Sequence, residues 1–81
     1  MRVKVRLFAR LRDIAGTGEL ERDIPAAATV QLVWNGLVAE RPTLGEYERA
    51  ISVAVNAEYA RMSAVLADGD EVAFLPPVSG G

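Results

Sequence analysis

The sequence has neither cysteine nor histidine among its 81 residues. Without cysteine the chain can form no disulfide, thiolate–zinc site or iron–sulfur cluster, and it has no thiol nucleophile. Without histidine it lacks the commonest general base and the commonest metal ligand. A conventional active site is therefore hard to build from this chain, and we expect it to hold neither a cofactor nor a metal ion.

Long apolar segments are also missing. Charged residues interrupt the apolar ones at the start of the chain, unlike the apolar region of a signal peptide, and no run approaches the ~18 apolar residues of a membrane span. With a formal charge of −2, the chain also lacks the basic character typical of nucleic-acid binding. We therefore expect a cytoplasmic protein that binds neither membranes nor nucleic acid.

The charge is unevenly distributed along the chain. Residues 1–12 contain basic side chains and no acidic one, whereas acidic residues dominate the remainder. A solvated strand face followed by a short helix is one explanation, and a surface that docks an acidic partner is the other. The basic residues are Arg2, Lys4, Arg6, Arg10 and Arg12.

Hydropathy patterns predict five strands and one main helix. Alternating apolar residues indicate strands, and apolar residues at helical spacing indicate a helix over residues 30–41 with Thr29 as its N-cap. Trp34 is expected in the core, and Val65 and Leu66 are expected to add apolar contacts. The predicted strands are residues 3–8, 19–24, 51–56, a short segment near Tyr59, and 71–75. Short helical turns are predicted over residues 10–15 and 43–49.

This order of elements predicts an α+β domain with two layers. The first two strands form a hairpin, and a single long helical crossover implies a mixed sheet. A β-grasp, in which the sheet packs on one main helix, is the simplest arrangement, and it places the first and last strands side by side near the centre. We assign residues 1–75 to this domain and residues 76–81 to an extended C-terminal tail.

The tail is the most informative segment. Pro76 and Pro77 cannot donate to a strand ladder and favour an extended chain that leaves the domain in a defined direction. Gly80 and Gly81 have no side chains, so the terminal carboxylate can enter a tunnel too narrow for a β-carbon. A frayed terminus is the alternative, but it does not explain why Gly-Gly follows Pro-Pro at the end of a small β-grasp pattern.

Three segments carry a resemblance to the ubiquitin-like sulfur carriers, and within them to the small subunits of molybdopterin synthase, the MoaD family. They are Val5-Arg6-Leu7-Phe8-Ala9-Arg10-Leu11-Arg12 with Ala15-Gly16, Ala54-Val55-Asn56, and the long block from Leu66 to Gly81. The last block is the most specific. The resemblance runs from end to end and implies a ubiquitin-like β-grasp.

The resemblance also implies a function. An E1-like enzyme uses ATP to adenylate the carboxylate of Gly81, and sulfur then replaces AMP to leave a thiocarboxylate. The large catalytic subunit of molybdopterin synthase uses this sulfur to build the dithiolene of molybdopterin on cyclic pyranopterin monophosphate. The chain would be a non-catalytic carrier in a heterotetramer of two small and two large subunits. The tail inserted into the partner's active site would be Pro76, Pro77, Val78, Ser79, Gly80 and Gly81.

A carrier must also dock on its partners through surface residues. Strand alternation turns Phe8 and Leu75 outward, and the family has apolar docking residues at these positions and at that of Tyr59. In the alternative, Phe8 lies at a strand end and packs beneath the next helical turn. Arg10 and Arg12 are candidates for electrostatic steering toward the large subunit.

Other functions share parts of this pattern. A sulfur carrier for thiamine thiazole synthesis or for cysteine synthesis would have the same terminal chemistry. A ubiquitin-like modifier would instead join Gly81 to lysines of target proteins. A non-covalent β-grasp interaction module would not need Gly80 and Gly81 at all.

Overall fold

A computed structural model describes residues 1–77 of the chain. The elements are β1 (Arg2–Leu7), α1 (Ala9–Ala15), β2 (Glu19–Asp23), α2 (Val30–Glu40), a 3₁₀ helix (Pro42–Tyr47), β3 (Ser52–Val55), β4 (Glu58–Ala60) and β5 (Glu71–Leu75). All predicted strands and helical segments are present, with bounds that differ by one or two residues. The connection between β1 and β2 contains α1, so these strands form an antiparallel pair without a tight turn.

The five strands form one mixed sheet in the order β2-β1-β5-β3-β4. β1 and β5 are parallel neighbours at its centre, and the other three pairs are antiparallel. This order confirms the predicted β-grasp, in which the first and last strands meet inside the sheet. Since parallel strands end at the same edge, β1 and β5 both finish at the edge from which the tail leaves.

Apolar side chains from the strands and from α2 form a single core. Trp34 and Phe74 are fully buried, and their ring centroids lie 5.0 Å apart. The indole N–H of Trp34 donates to the Glu48 carboxylate at 3.0 Å, so its polar atom is satisfied. Replacing a buried Trp or Phe by Ala lowers the free energy of unfolding by about 3–5 kcal/mol. This pair therefore fixes α2 on β5. The buried strand residues are Val3, Val5, Leu7, Val53, Val72 and Phe74, and those of α2 are Val30, Val33, Trp34 and Leu37.

The start of α2 is held as the sequence predicts. The Thr29 side chain accepts from the Leu32 backbone N–H, and the first two N–H groups of α2 donate to the carbonyl oxygens of Ala64 and Met62 at 3.0 and 2.9 Å. The segment before β5 therefore satisfies the beginning of the helix. Leu66 is buried there, but Val65 is 65% exposed, so its expected contribution to the core was wrong. Neighbouring residues in an extended segment point in opposite directions, which is why only one of the two faces inward.

The turn before β5 is tied to the β3–β4 hairpin. Asp70 accepts from the Asn56 side-chain amide at 2.8 Å and from the Ala67 backbone N–H at 2.7 Å. The Asn56 side-chain oxygen accepts from the Glu71 backbone N–H at 2.9 Å. Two segments that are distant in sequence and both carry the family resemblance thus meet at one end of the sheet. They fix the start of β5, while its other end leads to the tail.

Candidate functional site

The candidate site begins where β5 ends. Pro76 is half-buried and Pro77 is exposed, directly after Leu75. Neither proline has an N–H group, so the ladder with β1 and β3 cannot continue and the chain leaves the sheet. The predictions for Val78, Ser79, Gly80 and Gly81, including a free Gly-Gly tail and the Gly81 carboxylate, lie outside the described residues.

The sheet face opposite the core borders this exit. Paired residues on neighbouring strands point to the same face, so the register lays out its side chains in rows. One row crosses all five strands in the order Glu19, Arg6, Ala73, Ala54, Tyr59. The next row, nearer the tail, contains Phe8, Leu75 and Ser52.

Phe8 lies on this outer face, as alternation predicts. It caps α1 in an extended conformation (φ −124°, ψ 155°), so the alternation of β1 continues through it. The Arg6 guanidinium carbon lies 5.2 Å from the centroid of its ring, which places both side chains on the same side of the strand. Phe8 and Leu75 are both half-buried, and neither packs against the core cluster. The structure therefore disfavours the alternative, in which alternation fails at the strand end and Phe8 packs beneath the next helical turn.

Tyr59 reaches the same face from the far edge of the sheet. Its side chain is 85% exposed, and it lies opposite Ala54 in the register. The two-residue turn that reverses the chain before β4 has positive φ at both positions, 50° at Asn56 and 69° at Ala57. Asparagine tolerates this conformation, whereas alanine is strained in it. The hydrogen bonds of Asn56 to the start of β5 hold the turn, and hence Tyr59, in place.

Small residues separate Tyr59 from the other two large side chains. We call the whole surface the docking face, and it consists of Phe8, Ser52, Ala54, Tyr59, Ala73 and Leu75. The short side chains of Ser52, Ala54 and Ala73 leave a shallow depression between Phe8 and Leu75 on one side and Tyr59 on the other. An exposed and largely apolar surface of this kind is typical of a protein interaction site. Charged side chains border it, because Arg6 lies against Phe8 and Arg61 lines a cavity with Ser52 and Tyr59. The sequence predicts the large residues, but only the strand register shows the small ones that join them.

The charged half of the outer face is largely neutralised within the sheet. Arg2 pairs with Asp23 at 3.1 Å, and Lys4 pairs with Glu19 at 3.3 Å. The hydrogen bonds from Arg2 hold the pKa of the Asp23 carboxyl below its ordinary value. For these residues the structure favours a solvated strand face over an acidic docking partner.

The two predicted steering residues, Arg10 and Arg12, do not belong to the docking face. Arg10 and Arg12 are exposed on α1. The neighbouring Tyr47 side chain is the main reason why the pKa of the Arg10 guanidinium is raised. The Arg12 stem lies against Gly18, where an added β-carbon would come within 2.9 Å of it. Their role in steering stays a prediction.

The described residues offer little else with catalytic chemistry. Within residues 1–77, no three histidine, cysteine, aspartate or glutamate side chains are grouped so that they could hold a metal ion. No helix of that part of the chain is both long and apolar enough to cross a membrane. What the described surface offers is a docking face beside the base of the tail.

The strand order of the sheet and the single main helix packed on it define a β-grasp domain. A β-grasp whose central strand leads directly into the C-terminal segment is typical of ubiquitin-like proteins. Residues 5–81 match the ThiS family, and the chain belongs to that family. It is 39% identical over 79 residues to the molybdopterin synthase sulfur carrier subunit of Arabidopsis thaliana, which covers 98% of this chain and 82% of that protein.

Two solved structures support the same relationship. Small archaeal modifier protein 1 from Haloferax volcanii is 34% identical, with a TM-score of 0.85 over the whole of both chains. A complex of subunits 1 and 2 of the molybdopterin-converting factor from Helicobacter pylori contains a chain that is 27% identical, with a TM-score of 0.67 over the whole of both chains.

Proposed function

We propose that this protein is the sulfur carrier subunit of a molybdopterin synthase. The observation that carries the proposal is the point at which the chain leaves the sheet, where Pro76 and Pro77 follow the central strand β5 beside the docking face. The adjoining apolar surface provides a place for a partner to bind. Relatives that bear this function match the chain over nearly its whole length.

The reactive group in this proposal is the Gly81 carboxylate. A carboxylate oxygen attacks the α-phosphate of ATP on an E1-like enzyme, which releases pyrophosphate and leaves an acyl adenylate. A sulfur nucleophile then displaces AMP, and the carrier ends in a thiocarboxylate. The chain itself needs no cofactor, because the partner proteins supply the acid–base groups and the ATP site. We also propose that the carrier acts in the cytoplasm, where ATP is available for this reaction.

The second partner is the large catalytic subunit of the synthase. We propose that the docking face seats this subunit while residues 76–81 enter its active site. The related Helicobacter pylori chain was solved in a complex of subunits 1 and 2, which supports such a pairing. The assembly would be a heterotetramer of two small and two large subunits, in which sulfur passes from Gly81 to cyclic pyranopterin monophosphate.

Intact-mass analysis tests the proposal directly. The purified protein is incubated with ATP, a sulfur source and an E1-like activating enzyme, and the large subunit and the pyranopterin are then added. We expect exchange of one oxygen for sulfur at Gly81, which is reversed as molybdopterin forms. If the exchange occurs but the pterin is unchanged, the protein is a sulfur carrier for another pathway, such as thiazole or cysteine synthesis.

A second function, attachment to other proteins, is favoured by one comparison. When the sequences alone are aligned, small archaeal modifier protein 1 of Haloferax volcanii is 38% identical over 84 residues, and the match covers 94% of this chain. Both roles use the same adenylated terminus, so one chain is chemically able to perform both. Isopeptide-linked adducts between Gly81 and target lysines, found by mass spectrometry of digested cell extracts, would establish the modifier role. A non-covalent interaction module would give neither adducts nor sulfur exchange.

A further inference from the structure

Arg6 stands at the boundary between the two halves of the outer face. In the register it lies between Glu19 on β2 and Ala73 on β5. Its direct neighbour Glu19 pairs with Lys4 instead, at 3.3 Å. Arg6 therefore differs from Arg2 and Lys4, because the acid beside it is already paired and its own ion pair, with Glu71 on β5, is longer than theirs.

The Arg6 guanidinium is held on the side of the docking face. Its carbon lies 5.2 Å from the centroid of the Phe8 ring, within the range of a cation–π contact. The nearest carboxylate oxygen, on Glu71, is 3.9 Å from Nη1, beyond hydrogen-bonding distance. Nε is excluded from water, and it has no hydrogen-bond partner in the part of the chain that the structure describes. The cation is thus held by an aromatic ring and a long ion pair with Glu71, and its Nε has no acceptor among the described residues.

A partner that covers the docking face will also cover this guanidinium, because Phe8 belongs to that face and lies against Arg6. Covering a charged group without giving it an acceptor is unfavourable. The planar fork of an arginine fits a carboxylate, which can accept two parallel hydrogen bonds. We infer that Arg6 is a receptor for a carboxylate of the large subunit, and that it determines which partners can bind the docking face. This inference rests on the proposed function.

Binding of the purified large subunit to matched variants tests the inference. Arg6→Met keeps an unbranched apolar stem and removes the guanidinium and its charge. Lys4→Met likewise removes a charge two residues away, outside the docking face. We expect Arg6→Met to raise the dissociation constant about tenfold and to weaken its dependence on salt, since a charge-paired contact is lost. Lys4→Met should leave binding within about twofold of the unmodified protein, as is usual for an exposed ion pair. Thermal unfolding of each variant verifies that it is folded.

Charge reversal identifies the chemistry of the partner group. Arg6→Glu should bind more weakly than Arg6→Met, because two carboxylates would then repel each other, while Lys4→Glu serves as the control. Equal binding of Arg6→Glu and Arg6→Met indicates a neutral acceptor and overturns the inference. Equal losses in the Arg6 and Lys4 variants also overturn it, since they indicate general steering. If the unmodified protein fails to bind the large subunit, the proposed function fails as well; if it binds and Arg6→Met binds equally, only this inference fails.

Discussion

The two ends of β5 are built in opposite ways. At its start, the Asn56 side chain donates to Asp70 and accepts from the Glu71 N–H, and the Asp68 carboxylate accepts from the Arg2 N–H at 2.8 Å. At its other end, Pro76 and Pro77 follow, and neither can donate a backbone hydrogen bond. One end is therefore fixed to two other segments, the β3–β4 turn and β1, whereas the chain leaves the sheet at the other end. Side-chain hydrogen bonds thus orient the start of the strand, whereas the two prolines stop its ladder at the other end.

The largest expected effect comes from the released end. Deletion of Gly81 should abolish sulfur transfer, because the new terminal carboxylate on Gly80 falls about 3.3 Å short of its position in an extended tail. Stability should be unchanged, since the core and the hydrogen bonds around β5 involve other residues. The mass assay for sulfur exchange and thermal unfolding measure the two effects separately. A shortened protein that still acquires sulfur and supports molybdopterin formation would contradict the role of Gly81.

A variant at the fixed end of β5 should instead lower the stability of the fold. Asn56→Gly removes both side-chain hydrogen bonds but tolerates the positive φ, so the loss reflects the missing contacts and the greater freedom of glycine in the unfolded chain, without added backbone strain. We expect unfolding in urea to show a loss of about 1–3 kcal/mol. Asn35→Ala is the matched control, because Asn35 is exposed on α2 and its side chain bonds only to Gln31 within residues 1–77. Similar stabilities of the two variants would show that Asn56 does not hold the start of β5.

Much of this contrast can be predicted from the sequence, but not all of it. Alternation places Phe8 and Leu75 on the outer face, and Pro-Pro marks the end of the last strand. The tie between Asn56 and Asp70 joins residues 14 positions apart, and periodicity carries no information about such pairs. The environment of Arg6 cannot be predicted for the same reason, because only the structure shows that Glu19, which faces Arg6 in the register, forms its ion pair with Lys4. Local patterns thus predict the faces of the sheet, and the long-range contacts decide what lies together on each face.

The docking face lies between these two ends and should affect binding without affecting stability. Tyr59→Ala should weaken binding of the large subunit about tenfold, since exposed aromatic residues often dominate such contacts. Unfolding should be unaffected, because the side chain is 85% exposed. Val65→Ala truncates another exposed apolar residue outside the docking face and should bind normally. A stability loss in Tyr59→Ala with unchanged affinity would instead assign Tyr59 to the fold.

The turn that carries Tyr59 holds strain that can be relieved. Ala57 has a φ of 69°, a conformation that costs an alanine about 1–2 kcal/mol. Part of the gain from Ala57→Gly is offset by the greater freedom of glycine in the unfolded chain, so we expect a net increase of up to about 1 kcal/mol. Ala39→Gly, at an exposed position of α2, should instead lower stability by about 1 kcal/mol. If both glycine variants are destabilised, the strain at Ala57 is not real.

The smallest effect is expected at the β2 edge of the sheet, opposite the edge that carries Tyr59, where β2 contains Asp23. Hydrogen bonds from Arg2 lower the pKa of this carboxyl in the folded protein, so the pair stabilises the fold while the carboxyl is ionised. This contribution is present above the pKa of the unfolded chain and is lost as the pH falls through the lower, folded pKa. The stability difference between the unmodified protein and Asp23→Asn should therefore shrink as urea unfolding is repeated from neutral pH to below pH ~4. Both side chains are exposed, so the difference will be small even at neutral pH.

Glu21→Gln controls for the loss of one negative charge, because Glu21 forms no ion pair among the described residues. A stability difference for Asp23→Asn that stays constant with pH would show that Arg2 does not stabilise the ionised carboxyl.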